Sequence, residues 1–208
     1  MTFCFSFSHL DAVHILADST LTVPAASYGL KQSSFGEAAC PPSSESYIEG
    51  MPKIMKISDH CLVCFAGDHQ RAREIISLIH SLVAQGLSIP TAIRHTATSI
   101  DLKSHHRIEI LIAHQENGKS FLSFWDARST ELMEVPPGMC CAIGEPDEKL
   151  AAHLGGYSRY LREAGAPQDV IQSLMCGVYQ SALLQQLTVS QGVGVGGAVI
   201  AACLSPNG

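Results

Sequence analysis

The start of the chain constrains the fold most. Residues 2–8 and 12–18 are two runs rich in Phe, Val, Ile and Leu, separated by His9, Leu10 and Asp11. Such runs read as strands, and so short a connection reads as a hairpin. A chain whose second residue already belongs to a strand places its own start inside a sheet. If Met1 is removed, Thr2 carries a hydroxyl and a free α-amine on one residue, a nucleophile and a base in one piece. Asp18 closes the second strand, sixteen residues after Thr2.

The remaining composition narrows the class. A chain of 208 residues that is 46% hydrophobic fits one ordinary domain with a real core. The formal net charge is -6 and no basic stripe is present, so nucleic acid is not expected as a partner. No apolar run reaches the roughly 18 residues of a membrane span. No charged n-region precedes the apolar start, so a signal peptide is not expected and the expected location is cytoplasmic. Eight cysteines in such a chain are expected to stay reduced and pack as small apolar groups.

Residues 19–51 are dominated by Ser, Pro, Gly and Ala and read as a long insertion loop. Residues 52–58 and 61–66 read as a second hairpin, ended by Gly67. Asp68 suits a helix N-cap. Ala72, Ile75, Ile76, Ile79 and Val83 then recur at helical spacing. Pro90 suits the first turn of a second helix over about 90–103. Strands are expected at 107–114, 119–126, 130–135 and 139–143, with Asn117-Gly118 as a hairpin turn. A helix after Gly144 carries Leu150, Leu154, Tyr157 and Leu161. Another after Pro167 carries Val170, Ile171, Leu174, Val178 and Leu183, all expected to face inward. A Gly-rich turn at 192–197 precedes a last strand at 198–204. Helices in pairs and strands in hairpins favour an α+β layered sandwich over a doubly wound parallel sheet.

Two motifs lose their usual meaning in context. Cys61 and Cys64 form a C-x-x-C, but on a strand residues three apart face opposite sides and cannot share one metal ion. No metal and no cofactor is expected. The Gly-x-Gly-x-Gly-Gly run at 192–197 precedes a strand instead of following one, so it is not a dinucleotide fingerprint.

The set Thr2, Asp18, Lys53 and Ala66-Gly67, in that order and spacing, resembles the proteasome β-subunit superfamily of N-terminal nucleophile hydrolases, including its bacterial relatives. The interval from Lys53 to Gly67 is fourteen residues, as in the family. Cys141-Ala-Ile-Gly144 before a helix fits as well, and the resemblance covers essentially residues 2–208 as one domain. It implies a four-layer αββα sandwich of two antiparallel sheets flanked by helix pairs. It also implies self-association into rings around a compartment that takes peptide or unfolded protein. In that reading Thr2 is the nucleophile, Lys53 and Asp18 support it, and the Gly67 N–H forms the oxyanion hole. Strand alternation puts Lys53 and Lys56 on opposite faces, and the spacing to Gly67 selects Lys53. Phe65, Met55 and His69 would line the first specificity pocket, with Phe65 making it shallow and suited to modest side chains.

The chain departs from the family pattern in three places. The Asp18–Lys53 interval is much longer. Glu145 stands where the family has a serine that supports the terminal amine, and Ser190 is nearest to the place of the family's aspartate. Glu145 and Ser190 are therefore the candidates for amine support. The resemblance implies a threonine endopeptidase. The departures leave two alternatives: a catalytically silent ring or scaffold subunit, or an N-terminal nucleophile amidase acting on a small amide. No phosphate-binding Gly-x-x-x-x-Gly-Lys loop is present, so any ATP-driven unfolding would come from a separate ATPase.

Overall fold

The computed structural model describes residues 3–19, 21–24, 45–48, 52–100, 108–144, 148–189 and 198–206. The start of the chain forms β1 (Phe3–His9) and β2 (Ala12–Asp18), an antiparallel hairpin. Leu10 and Asp11 make its turn with positive φ of 46° and 58°, the left-handed geometry that matches the twist of the flanking strands. Within the insertion, β3 (Leu21–Pro24) and β4 (Glu45–Ile48) pair as a two-stranded sheet. The segment was expected to be loop throughout; residues 25–44, with their Cys-Pro-Pro run, lie outside the described residues.

The second hairpin is β5 (Ile54–Ser58) and β6 (Cys61–Gly67), followed by α1 (His69–Ala84) and α2 (Ile89–Ser99). Asp68 caps α1 by accepting the Arg71 N–H at 3.0 Å. Next come β7 (Ile108–Glu116), β8 (Lys119–Asp126), the short β9 (Met133–Val135) and β10 (Cys140–Gly144). Asn117 and Gly118, at φ 52° and 75°, turn β7 into β8. The helices α3 (Glu148–Glu163) and α4 (Gln168–Val189) precede the last strand, β11 (Val199–Leu204).

One sheet runs in the order β10-β1-β2-β11 and the other β5-β6-β7-β8-β9, all pairings antiparallel. Side-chain alternation builds three apolar layers from these two sheets. Phe3, Phe5, Phe7 and Leu16 pack against Leu154, Ile171 and Met175 of α3 and α4. Val63, Phe65, Ile110 and Trp125 pack against Ile75, Ile76 and Ile79 of α1 and against Ile93 of α2. Between the sheets lie Cys4, Ile15, Cys64, Ala66, Leu111 and Ile143. The result is the αββα sandwich expected from the sequence. Strands covered on both faces explain why β1, β2, β6 and β7 read as nearly unbroken apolar runs.

The inward face of α4 needs correction. Val170 and Leu174 are 41% and 42% exposed, while Ile171, Met175, Tyr179 and Leu183 are buried. Two apolar stripes one residue apart satisfy helical periodicity equally here. Packing on the β10-β1-β2-β11 sheet selects the second. In α1 the same choice buries Leu82 and leaves Val83 partly covered.

Candidate active site

Three segments converge at one end of the sandwich. β2 ends in Asp18, Lys53 stands just before β5, and β1 begins at Phe3. The Lys53 ammonium donates to Asp18 Oδ2 at 2.7 Å, and both side chains are buried, at 1% and 0% exposure. The pair joins the two sheets. Lys56 behaves differently: it is 63% exposed and pairs with Asp59 at the hairpin tip. Alternation along β5 thus separates the two lysines as the sequence suggests.

Asp18 Oδ1 accepts the Phe3 N–H at 2.9 Å. One carboxylate therefore holds both the lysine and the first described residue of the chain. Thr2, the residue before Phe3, lies outside the described residues, as do Met1, Glu145 and Ser190.

Gly67 ends β6 with φ 106°, a conformation that favours glycine and sends the chain straight into Asp68 and α1. Phe65 is 1% exposed and packs beneath α1, its ring 5.7 Å from that of His69. His69 opens α1, and its imidazole is held below its usual pKa, first by burial, then by Arg73, with Lys53 adding to the effect and Asp68 opposing it. Met55 is half-buried against the same core.

Cys61 faces that helix-side core, whereas Cys64 lies between the sheets. The Cys64 thiol donates to Cys4 Sγ at 2.8 Å, and the Cys4 thiol donates to the Phe65 carbonyl at 3.5 Å. Burial first, then Cys64, pushes the Cys4 thiol well above its usual pKa, with Lys53 opposing. Burial alone raises Cys61 to about 12. Thiols held protonated and out of solvent are poor nucleophiles. Iodoacetamide applied to the native protein will leave Cys4 and Cys61 unmodified by peptide mass mapping, whereas both will react in guanidinium. Native-state labelling of either would contradict this burial.

Two residues at this end escaped the sequence reading. Tyr179 of α4 donates its hydroxyl to the Phe3 carbonyl at 2.6 Å and stacks on the Phe3 ring. Its signal was a phenol on a buried helical stripe, which demands a partner. Glu109 of β7 is 9% exposed and accepts the Gly144 N–H at 2.8 Å, tying β7 to the end of β10. Its signal was one carboxylate inside the run 108–113, which is otherwise apolar. Ser19 Oγ accepts the Ala198 N–H at 2.9 Å, anchoring the approach to β11. Among the described residues, no group of three His, Cys, Asp or Glu side chains is placed to hold a metal ion.

No family model matches the sequence, and no curated protein matches it. Solved structures do. The crystal structure of eukaryotic HslV from Trypanosoma brucei aligns with a TM-score of 0.61 over 98% of this chain and 99% of that one, at 14% identity. Two antiparallel sheets between helix pairs are the common architecture. The fold of this chain is therefore that of HslV, an αββα sandwich of two antiparallel sheets flanked by helix pairs.

Proposed function

We propose that the chain is a threonine peptidase of the proteasome-like class, working inside a homo-oligomeric ring after removal of Met1. The observation that carries this reading is the buried Lys53–Asp18 pair whose carboxylate also holds the Phe3 N–H. Burying an ammonium and a carboxylate is costly unless they are paired and hydrogen-bonded. A pair placed beside the start of the chain suits a role there.

In this reading the Thr2 hydroxyl attacks a peptide carbonyl and its own α-amine takes the proton. The Lys53 ammonium favours the alkoxide by opposite charge, and Asp18 orients Lys53. The Gly67 N–H stabilises the oxyanion, a donor worth about 3 kcal/mol in comparable sites. Breaking the C–N bond releases the amine fragment with that proton and leaves an ester on Thr2, which water then hydrolyses. Met55 and His69 line the first pocket, the buried Phe65 backs it from beneath His69, and Glu145 and Ser190 support the amine. Substrates are peptides or unfolded protein, delivered by a separate ATPase where folded proteins are degraded, in the cytoplasm.

An N-terminal-threonine-directed epoxyketone will add to the purified protein, and intact mass will show one adduct on a chain lacking Met1. A chain that retains Met1 and gains no adduct would sink the proposal. The second reading, a silent ring subunit, draws on Glu145 standing in the family's serine position. It is favoured if wild type and Thr2→Ala both assemble and neither cleaves peptides.

A further inference from the structure

The β1–β2 ladder stops one residue short of the described start of the chain. Among the described residues its last register pair is Cys4 with Ala17, and no register pair there includes Phe3 on that flank. On the other flank Phe3 pairs with Gly144. In a strand the N–H and C=O of one residue point the same way. Two side chains bond to the Phe3 backbone. Asp18 accepts the N–H at 2.9 Å and Tyr179 donates to the C=O at 2.6 Å. The Tyr179 ring also lies over the Phe3 ring, with centroids 5.4 Å apart and planes 12° from parallel.

We propose that Tyr179 is a positioning residue for the N-terminal nucleophile, acting with Asp18 as a clamp on Phe3. The inference rests on the peptidase reading above. Its physical basis is the planar peptide group. Fixing the Phe3 N–H fixes the plane that joins Phe3 to residue 2, and fixing the Phe3 carbonyl removes the remaining freedom of Phe3 itself. Tyr179 delivers its hydroxyl from the buried stripe of a long helix packed on the β10-β1-β2-β11 sheet. Burial, then the nearby Asp18 charge, hold the phenol well above its usual pKa, so it remains a donor. The clamp links α4 to the end of β1 where the attacking group is attached. Displacements well under 1 Å matter there for an attack trajectory.

The test uses Tyr179→Phe, which keeps the ring and removes only the hydroxyl, with Met175→Ala as a control that weakens the same core. The first readout is epoxyketone addition to Thr2 against reagent concentration. For Tyr179→Phe the maximal rate is expected to fall about tenfold, with the half-saturating concentration within about twofold of wild type, as expected for lost alignment. The second readout is amide hydrogen exchange of peptide 2–8 relative to peptide 12–18, which will quicken in Tyr179→Phe. Met175→Ala will melt at lower temperature yet leave the saturating rate and the exchange ratio unchanged. A Tyr179→Phe protein that exchanges peptide 2–8 at the wild-type ratio overturns the clamp, as does a Met175→Ala protein with the same rate loss. A wild type that never reacts overturns the peptidase reading instead, and exchange still decides whether the clamp exists.

Discussion

Lys53→Met will lower the unfolding free energy by about 3–5 kcal/mol, the usual cost of removing one partner from a buried ion pair. The loss comes less from the missing attraction than from the Asp18 carboxylate, which stays at 0% exposure with no ammonium beside it. The double variant Asp18→Asn/Lys53→Met will be more stable than Lys53→Met alone. It buries no charge, and the asparagine carbonyl can still accept the Phe3 N–H. Urea unfolding of the wild type, both single variants and the double variant measures the coupling directly. In the proposed mechanism all three variants also lose epoxyketone addition, so activity and stability separate within the set. The double variant would be well folded and unreactive. A Lys53→Met protein as stable as wild type would show that the pair is not buried as described.

The second large effect is acid sensitivity. His14 of β2 is 1% exposed, stacks on Phe7 with ring centroids 4.8 Å apart, and has no hydrogen-bond partner on either ring nitrogen among the described residues. Burial first, then repulsion from His9, lowers its pKa to about 4. The unfolded chain, with a histidine near 6.5, binds the proton more readily than the folded one. Stability contributed by neutral His14 is therefore fully present above about pH 6.5 and is lost as pH falls through about 4. A depression of this size corresponds to roughly 3 kcal/mol. His114, half-buried on β7, is lowered in the same direction by burial and adds to the slope. His14→Leu will flatten the dependence of unfolding free energy on pH between 6.5 and 4. It will hold or raise stability at neutral pH, because it removes two unpartnered nitrogens from the core. Parallel pH profiles for wild type and variant would refute the assignment.

Much of the fold was legible because its cues are local. The hairpins at 9–12 and 116–119, the Asp68 cap and the order of elements all follow from residues within a few positions of each other. Alternation sorted Lys53 from Lys56 and Cys61 from Cys64, since a strand presents successive side chains to opposite faces whatever surrounds it. The choice between apolar stripes on α4 was not local. Ile171 faces inward as expected, but Val170 and Leu174 gave way to Met175 and Tyr179 because the β10-β1-β2-β11 sheet offers its apolar face at one angle only, and no sequence period records that angle.

The site divides along the same line. The sequence by itself determined the α+β class and, through the family resemblance it carries, the candidate quartet of Thr2, Asp18, Lys53 and Gly67 with Asp18 and Lys53 as partners. Only the tertiary structure decided that one Asp18 carboxylate holds both Lys53 and the Phe3 N–H, that Tyr179 holds the Phe3 carbonyl from 176 residues away, and that Glu109 secures Gly144. The physical reason is range. Backbone propensity and alternation act over a few residues and are written in order along the chain. The partners of a buried carboxylate or phenol are set by which strands and helices are packed together, and that exists only once the layers have closed.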